Sequence, residues 1–234
     1  MFTCNYQMRY GDLKNFEAIK PAALLDVIQD VAIKNSESCG YGLYKMRDMN
    51  MAWLLQGINF HITRLPDPRA DLTVKTAVKD MKGVVSERGT IIEQDGEECA
   101  RSVAAWFLFD GSRMRPIRIP EDMAAAYPNH DFGDDFFNFK KPQLCEAEKV
   151  FTVRVGNGQI DTNRHLNNQK SAEILIDALP DDFFFTDMSI LYKKAAYLGD
   201  ILSVCIAEIE KGYFIKLENE SGELCVAATF IKED

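Results

Sequence analysis

Basic charge and histidine are both scarce in this sequence. Against 36 Asp and Glu there are only 27 Lys and Arg, which leaves the 234 residues with a formal net charge of −9 at pH 7. Proteins that bind nucleic acid work through clustered Lys and Arg that displace counterions from phosphate, and so acidic a chain argues against that class. The three histidines and six cysteines (Cys4, Cys39, Cys99, Cys145, Cys205 and Cys225) include no Cys-x-x-Cys pair, so no metal site and no cofactor is expected. The cysteines read instead as buried, reduced thiols. Long hydrophobic runs are missing too. The longest, around Val103 to Phe109, is strand-sized, where a membrane span needs about 20 residues. The first ten residues, MFTCNYQMRY, carry neither an apolar signal-peptide core nor the Arg- and Ser-rich character of a transit peptide, and a cytoplasmic protein is the expectation.

What the chain has in quantity is apolar residues, 47% of the total, enough to bury one large core or two smaller ones. Asn5 to Arg9 reads as a short strand entering the turn Gly11-Asp12. A helix should begin at Pro21, carry Leu24, Val27, Ile28 and Val31 as a buried stripe, and stop near Gly40. Strand signals follow at Ala52 to Arg64, which ends at Pro66-Asp67-Pro68, then at Asp71 to Lys79, Val84 to Glu93 and Cys99 to Phe109. The last two are joined by the hairpin signal Gln94-Asp95-Gly96. One long helix followed by antiparallel strands is an α+β plan.

The second half repeats that order. A strand at Val150 to Val155 and a helix at Asn167 to Leu179 precede strands at Asp187 to Lys193, Asp200 to Glu210, Tyr213 to Asn219 and Glu223 to Lys232. Aligning Gly96 with Gly222 brings Cys99 onto Cys225. Between the halves, Glu121 to Lys149 is too long for an ordinary connection and reads as a crossover.

Gln159 to Pro180 (QIDTNRHLNNQKSAEILIDALP) holds the chemistry-bearing residues. If the chain stays extended through His165, Asp161, Asn163 and His165 share one side of the backbone beside the amino end of a helix, capped by Asn167 or Asn168. The structural alternative is that Asp161 and Asn163 are turn residues. In the helix that follows, Ala172, Leu175, Ile176 and Leu179 form an apolar stripe, widened by Ser171, Ile174 and Ala178. A local basic patch at Arg113, Arg115 and Arg118, with Lys140–Lys141 and Lys193–Lys194 behind it, is the place an acidic partner would dock.

The string D-T-N-R-H-L-N-N-Q-K from Asp161 resembles the D-x-N-x-H-x-N-N-x-K signature of bacterial-type acyl-acyl carrier protein thioesterases, which have two tandem hot-dog folds. W-L-L-Q-G-I-N-F-H-I from Trp53, the hairpin D-G-E-E-C-A-R-S with the following Trp106, and R-M-R-P-I-R-I-P from Arg113 extend the resemblance over nearly the whole chain. The resemblance implies a double hot-dog of two repeats, residues 1–120 and 149–234, joined by a linker at 121–148. It implies hydrolysis of fatty acyl-acyl carrier protein (acyl-ACP) to free fatty acid and ACP, with Asp161, Asn163 and His165 catalytic. Asn167, Asn168, Trp53, Leu24 and Ile28 would bind substrate, and Arg113, Arg115 and Arg118 would meet ACP. The first repeat, with Arg9 to Leu13 at the equivalent junction and no histidine, would be chemically blank and wall the acyl tunnel. Two fused units satisfy the pairing that single-unit relatives reach by dimerising, so a monomer or loose homodimer is expected.

One departure stands out. Where the family carries a glutamate, often followed by cysteine, this chain has Ala195 and Ala196. The base is then Asp161 or His165, Glu173 substitutes from the helix, or hydrolysis is slow. The missing glutamate leaves as one alternative a weakly active protein that binds acyl groups or acyl-ACP, and an acyl-CoA thioesterase of the same fold, which differs in donor, is the other.

Overall fold

The computed structural model describes residues 1–16 and 18–232. Two units divide it, one from Met1–Gln56 and Phe60–Phe139, the other from Gly57–Asn59 and Lys140 onward.

In the N-terminal unit, β1 (Phe2–Gln7) leads through a 3-10 turn at Tyr10–Asp12 to the short pair β2 (Leu13–Asn15) and β3 (Ala18–Ile19), then to α1 (Pro21–Ser38). Pro21 sits at the first helical position, where a missing N–H removes no helical bond. Leu24, Val27, Ile28 and Val31 are all buried, as their spacing predicts, each worth about 1.5–3 kcal/mol of transfer free energy. A six-residue helix, α2 (Leu43–Asp48), precedes β4 (Met51–Ile62), β5 (Asp71–Lys82), β6 (Val85–Gln94) and β7 (Glu97–Asp110), with β8 (Arg115–Pro116) folded back on β7. The sheet order is β1-β5-β6-β7-β4, and α1 packs over β5 and β1. Asp95 and Gly96 both have positive φ, 56° and 81°, which is the two-residue turn that matches the twist of the strands it joins.

The expected crossover has structure of its own. Glu121–Ala126 forms α3, and the chain after it lies on the N-terminal unit. There His130 N–H donates to Val78 O, and Lys79 Nζ donates to Phe136 O, Phe137 O and Asn138 Oδ1. The His130 ring meets Phe132 edge-on at 4.9 Å.

The C-terminal unit runs β9 (Glu148–Arg154), a 3-10 turn at Asn157–Gln159, α4 (Asn168–Asp177), β10 (Asp187–Tyr192), β11 (Ile201–Ile209), β12 (Gly212–Glu218) and β13 (Leu224–Ile231). Its sheet order, β9-β11-β12-β13-β10, reproduces that of the first unit: first strand, third, fourth, fifth, second. The hydrogen bonds repeat in detail. Cys99 O accepts from the N–H groups of both Thr63 and Arg64, and Cys225 O from those of Lys193 and Lys194. The Cys99–Cys225 alignment expected from the two glycines is therefore also a structural equivalence. The main difference lies in the helices, 18 residues in α1 and 10 in α4. The shorter helix packs chiefly on β12, and every residue of β9 except Val153 is exposed.

Two further expectations need correcting. Cys99, Cys205 and Cys225 are buried, but Cys4 and Cys39 are half-buried and Cys145 is exposed, because Cys145 lies in the irregular segment ahead of β9 and not on a strand. On α4 the buried side is Gln169, Ser171, Ala172, Ile174 and Leu175, while Ile176 is half-exposed. Ile174 is buried where Ile176 is not, since α4 buries the side that carries Gln169, Ser171 and Ala172.

Candidate active site

The chain does not stay extended through His165. Asp161 folds it back on itself: its Oδ1 accepts from the N–H of Asn163 at 2.8 Å and of His165 at 3.0 Å. Asp161 N–H donates to His165 O at 2.8 Å and Arg164 N–H to Asp161 O at 3.0 Å. Ile160 and Leu166 close the loop as an antiparallel bridge, and Arg164 takes φ 63°. A short side-chain acceptor that captures backbone donors two and four residues on competes directly with strand pairing.

Asp161 thus reaches both other residues through their backbone. His165 is half-buried with its ring edge-on to Tyr197 at 5.1 Å. Asn163 is exposed, and its side-chain amide makes no hydrogen bond among the described residues. The Oδ2 atom of Asp161 is likewise uncommitted there.

The helix after the loop starts under tight control. Asn167 is its N-cap, its side chain accepting from Gln169 N at 2.8 Å and Lys170 N at 3.3 Å, an arrangement worth about 1 kcal/mol. Those two amides are therefore committed, and Asn168 N–H is left without a partner among the described residues. Tyr192 OH, on β10, donates to Asn168 O at 3.0 Å; burial pushes the phenol's pKa well up, so it remains a protonated donor. Leu166 N–H donates to Ala196 O at 2.8 Å, which seats the loop beside the position where the family glutamate is missing. Ala196 is buried and Ala195 exposed. On α4, Glu173 is engaged by its own helix: Gln169 Nε2 and Lys170 Nζ each reach one of its oxygens at 2.7 Å.

The remaining candidates belong to the N-terminal unit. Leu24 and Ile28 are buried on α1. Trp53 is half-buried with its ring edge-on to Tyr127 at 6.3 Å. Arg113, Arg115 and Arg118 are exposed, and Arg113 faces Asp110 at 3.5 Å. Sequence reading missed Tyr192 and Asn59. The latter is a polar residue in an apolar strand whose Nδ2 donates to Lys140 O at 2.8 Å and Ser189 Oγ at 2.7 Å, and whose Oδ1 accepts from Lys140 N–H. Its one sequence signal was an amide inside the run I-N-F-H-I.

The blank loop of the first repeat is not at Arg9 to Leu13. Lys20 N–H donates to Asp12 O at 2.9 Å, as Asn167 N–H does to Gln159 O at 2.8 Å. Leu13 pairs with Ile19 as Ile160 pairs with Leu166. On this register Lys14, Phe16 and Ala18 stand where Asp161, Asn163 and His165 stand, and the 3-10 turn at Tyr10–Asp12 matches Asn157–Gln159.

A helix against a five-stranded antiparallel sheet, built twice in one strand order, defines a double hot-dog protein. Residues 1–127 match the family model of the acyl-ACP thioesterase N-terminal domain and residues 141–230 that of the C-terminal domain. The chain belongs to the acyl-ACP thioesterase family, enzymes that hydrolyse the thioester of fatty acyl-ACP. Among solved structures it resembles an acyl-ACP thioesterase from Bacteroides thetaiotaomicron at TM-score 0.90 and 17% identity, over 99% of this chain and 97% of that one. It resembles the 12:0-ACP thioesterase from Umbellularia californica at TM-score 0.84 and 15% identity, over 98% and 96%. A hypothetical protein from Thermus thermophilus matches at TM-score 0.51 and 13% identity, over 54% of this chain and 97% of its own, as a single unit against half of a double one. At such identities these likenesses speak for the fold alone. No curated protein matches the sequence.

Proposed function

We propose that the loop from Asp161 to Asn168 is where this enzyme hydrolyses its thioester, with His165 as the proton carrier. The observation that carries the reading is the pair of bonds from Asp161 Oδ1 to the amides of Asn163 and His165, which fixes an imidazole and a carboxamide in one short loop at the start of a helix. In this scheme water attacks the thioester carbonyl carbon and gives its proton to His165. The C–S bond then breaks, and His165 returns the proton to the leaving sulfur, so that a carboxylic acid and a thiol result. Imidazole carries a proton near neutral pH, and acid-base help of this kind is worth about 10²–10⁴ in rate. Asn163 orients the water or the carbonyl, and the Asn168 N–H with the positive end of α4 favours charge on the carbonyl oxygen. Asp161 is a positioning residue.

Glu173 is not needed as a base on this reading, because Lys170 and Gln169 already occupy its carboxylate. Trp53, Leu24 and Ile28 contribute to the acyl-binding side, and Arg113, Arg115 and Arg118 to contact with the acidic carrier. The protein acts in the cytoplasm as a monomer or loose homodimer, in keeping with its unpaired cysteines and with the absence, among the described residues, of a helix long and apolar enough to cross a membrane.

The test is a panel of acyl-ACP thioesters with release of thiol as the readout. His165→Ala should lower kcat at least about 100-fold; an unchanged rate would remove the histidine from the chemistry. Charge reversal at Arg113, Arg115 and Arg118 should raise KM for acyl-ACP and leave acyl-CoA turnover unaltered, and equal effects on both donors would refute the docking role.

A further inference from the structure

A buried cation in the N-terminal unit has no anion beside it among the described residues. Arg88, on β6, is 6% exposed. Its Nη1 donates to Asn35 Oδ1 at 2.6 Å and to Thr76 Oγ1 at 3.4 Å. Both acceptors are neutral, and no carboxylate pairs with the guanidinium among the described residues. Burial pulls its pKa down to about 10, which leaves it charged at neutral pH.

Two further buried polar groups belong to the aromatic rings beside it. Its Cζ lies 6.0 Å from the centre of the Tyr127 ring, and Tyr127 is 3% exposed with a hydroxyl that has no hydrogen-bond partner. The indole Nε1 of Trp53, whose ring abuts Tyr127, is also buried and unpartnered. Burial raises the Tyr127 phenol, so the hydroxyl keeps its proton. Guanidinium and indole can only donate, and a protonated phenol donates readily. Tyr127 stacks on Tyr41 at 6.1 Å and shares one buried apolar cluster with Val78, Leu108 and Met123.

Buried donors are normally satisfied, and an uncompensated buried charge is among the least favourable arrangements in a protein interior. Water would accept from these donors but bring no charge. A carboxylate brings two acceptor oxygens and the missing negative charge in the planar form a guanidinium fork prefers. We infer that Arg88, Tyr127 and Trp53 form a binding site for an oxyanion borne on an apolar body, a monocarboxylic acid. All the residues lie in the N-terminal unit, so the inference does not rest on the chemistry assigned to the Asp161 loop.

The experiment is thermal unfolding and tryptophan fluorescence of the full chain with octanoate, octanol, acetate and phosphate at equal concentrations. Octanoate should raise the unfolding midpoint by about 3–6 °C at a tenfold excess over its dissociation constant and by about 5–11 °C at a hundredfold excess. Octanol should not. His165→Ala should keep the response and Arg88→Met should lose it. Tyr127→Phe, which removes only the hydroxyl, should weaken binding about 10-fold and serves equally if Arg88→Met does not fold. Acetate or phosphate acting as strongly as octanoate would support the oxyanion site and assign it to a small free anion. Equal responses to octanol and octanoate, a response retained in both variants, or no response to any anion would overturn the inference.

Discussion

Replacing Asp161 separates a residue that holds the loop from one that does its chemistry. The side chain uses a single oxygen, Oδ1, for both of its bonds, at 2.8 Å to Asn163 N–H and 3.0 Å to His165 N–H. Hydrogen bonds to a charged group contribute about 1.5–3 kcal/mol each when shielded. Asp161 is half-buried, so solvent reduces the pair together to about 2 kcal/mol. They also offset the left-handed backbone of Arg164, which costs about 1–2 kcal/mol for a residue with a Cβ. Asp161→Ala should therefore cut the ratio of ordered to disordered loop about 30-fold. The fall should appear in kcat with KM little changed, and the chain's unfolding midpoint should stay within a few degrees of wild type. In Asp161→Asn the amide oxygen can accept the same two bonds, so kcat should stay within about 10-fold of wild type. The acidic limb of the pH–rate profile should be unmoved, and the His165 amide resonance should keep its shift. Should Asp161→Asn prove as damaging as Asp161→Ala, the uncommitted Oδ2 is doing chemistry and the positioning argument is wrong. An active Asp161→Ala would remove the loop from the argument altogether.

Three other outcomes follow from named contacts. Ala195→Glu introduces a carboxylate next to Ala196, whose carbonyl accepts from Leu166 N–H at 2.8 Å; kcat should rise by about 10-fold or more, and no rise would show that the loop supplies its own base. Leu175 is fully buried on α4, so Leu175→Ala should cost about 2–5 kcal/mol in urea unfolding, while a loss under about 1 kcal/mol would contradict the packing of that helix. The Arg69 side chain, then its backbone N–H, hold the Asp67 carboxyl at about 2. A folded-state pKa below the ordinary value makes that stabilisation complete above about pH 4 and lost as pH falls through about 2. Asp67→Asn should flatten acid unfolding in that window, and a carboxyl NMR titration of Asp67 near 4 would refute the assignment.

The sequence made the long elements legible because each rests on a strong local rule. Pro21 and the Leu24–Val31 stripe mark α1, and Asp95-Gly96 allows the paired positive φ angles its hairpin needs. Short elements escaped for the converse reason. Met46 is the one buried residue of α2 and Met123 of α3, so neither six-residue helix has an apolar stripe to read. At the loop, alternation predicted a shared strand face where a side-chain-to-backbone bond decides the conformation. The D-x-N spacing carried that signal, since aspartate captures the amide two residues ahead. What no periodicity could supply was the commitment of Glu173 to Lys170, the seating of Leu166 on Ala196, or the burial of Arg88 among uncharged neighbours. Each depends on side chains or strands brought together by the fold.

The duplication makes the loop informative in a way its motif alone is not. Leu13 to Lys20 and Ile160 to Asn167 share a 3-10 entry, a closing pair six residues apart and a helix starting one residue later. The entry, the closing pair and the helix start are therefore properties of the hot-dog plan, and they cannot be what distinguishes the second copy. The difference is in side chains: Lys14, Phe16 and Ala18 against Asp161, Asn163 and His165. Phe16 is 90% exposed, so the first copy has not simply exchanged its polar groups for core. The helices diverge in step, since α1 has 18 residues and begins with proline, whereas α4 has 10 and is capped by Asn167. Proline at the first position removes an amide donor, and the second copy keeps that donor on Asn168. His165, the Asn163 carboxamide and the Asn168 N–H, unbonded among the described residues, therefore stand where the first copy has Ala18, Phe16 and Pro21, as expected if they serve one reaction rather than the shared fold.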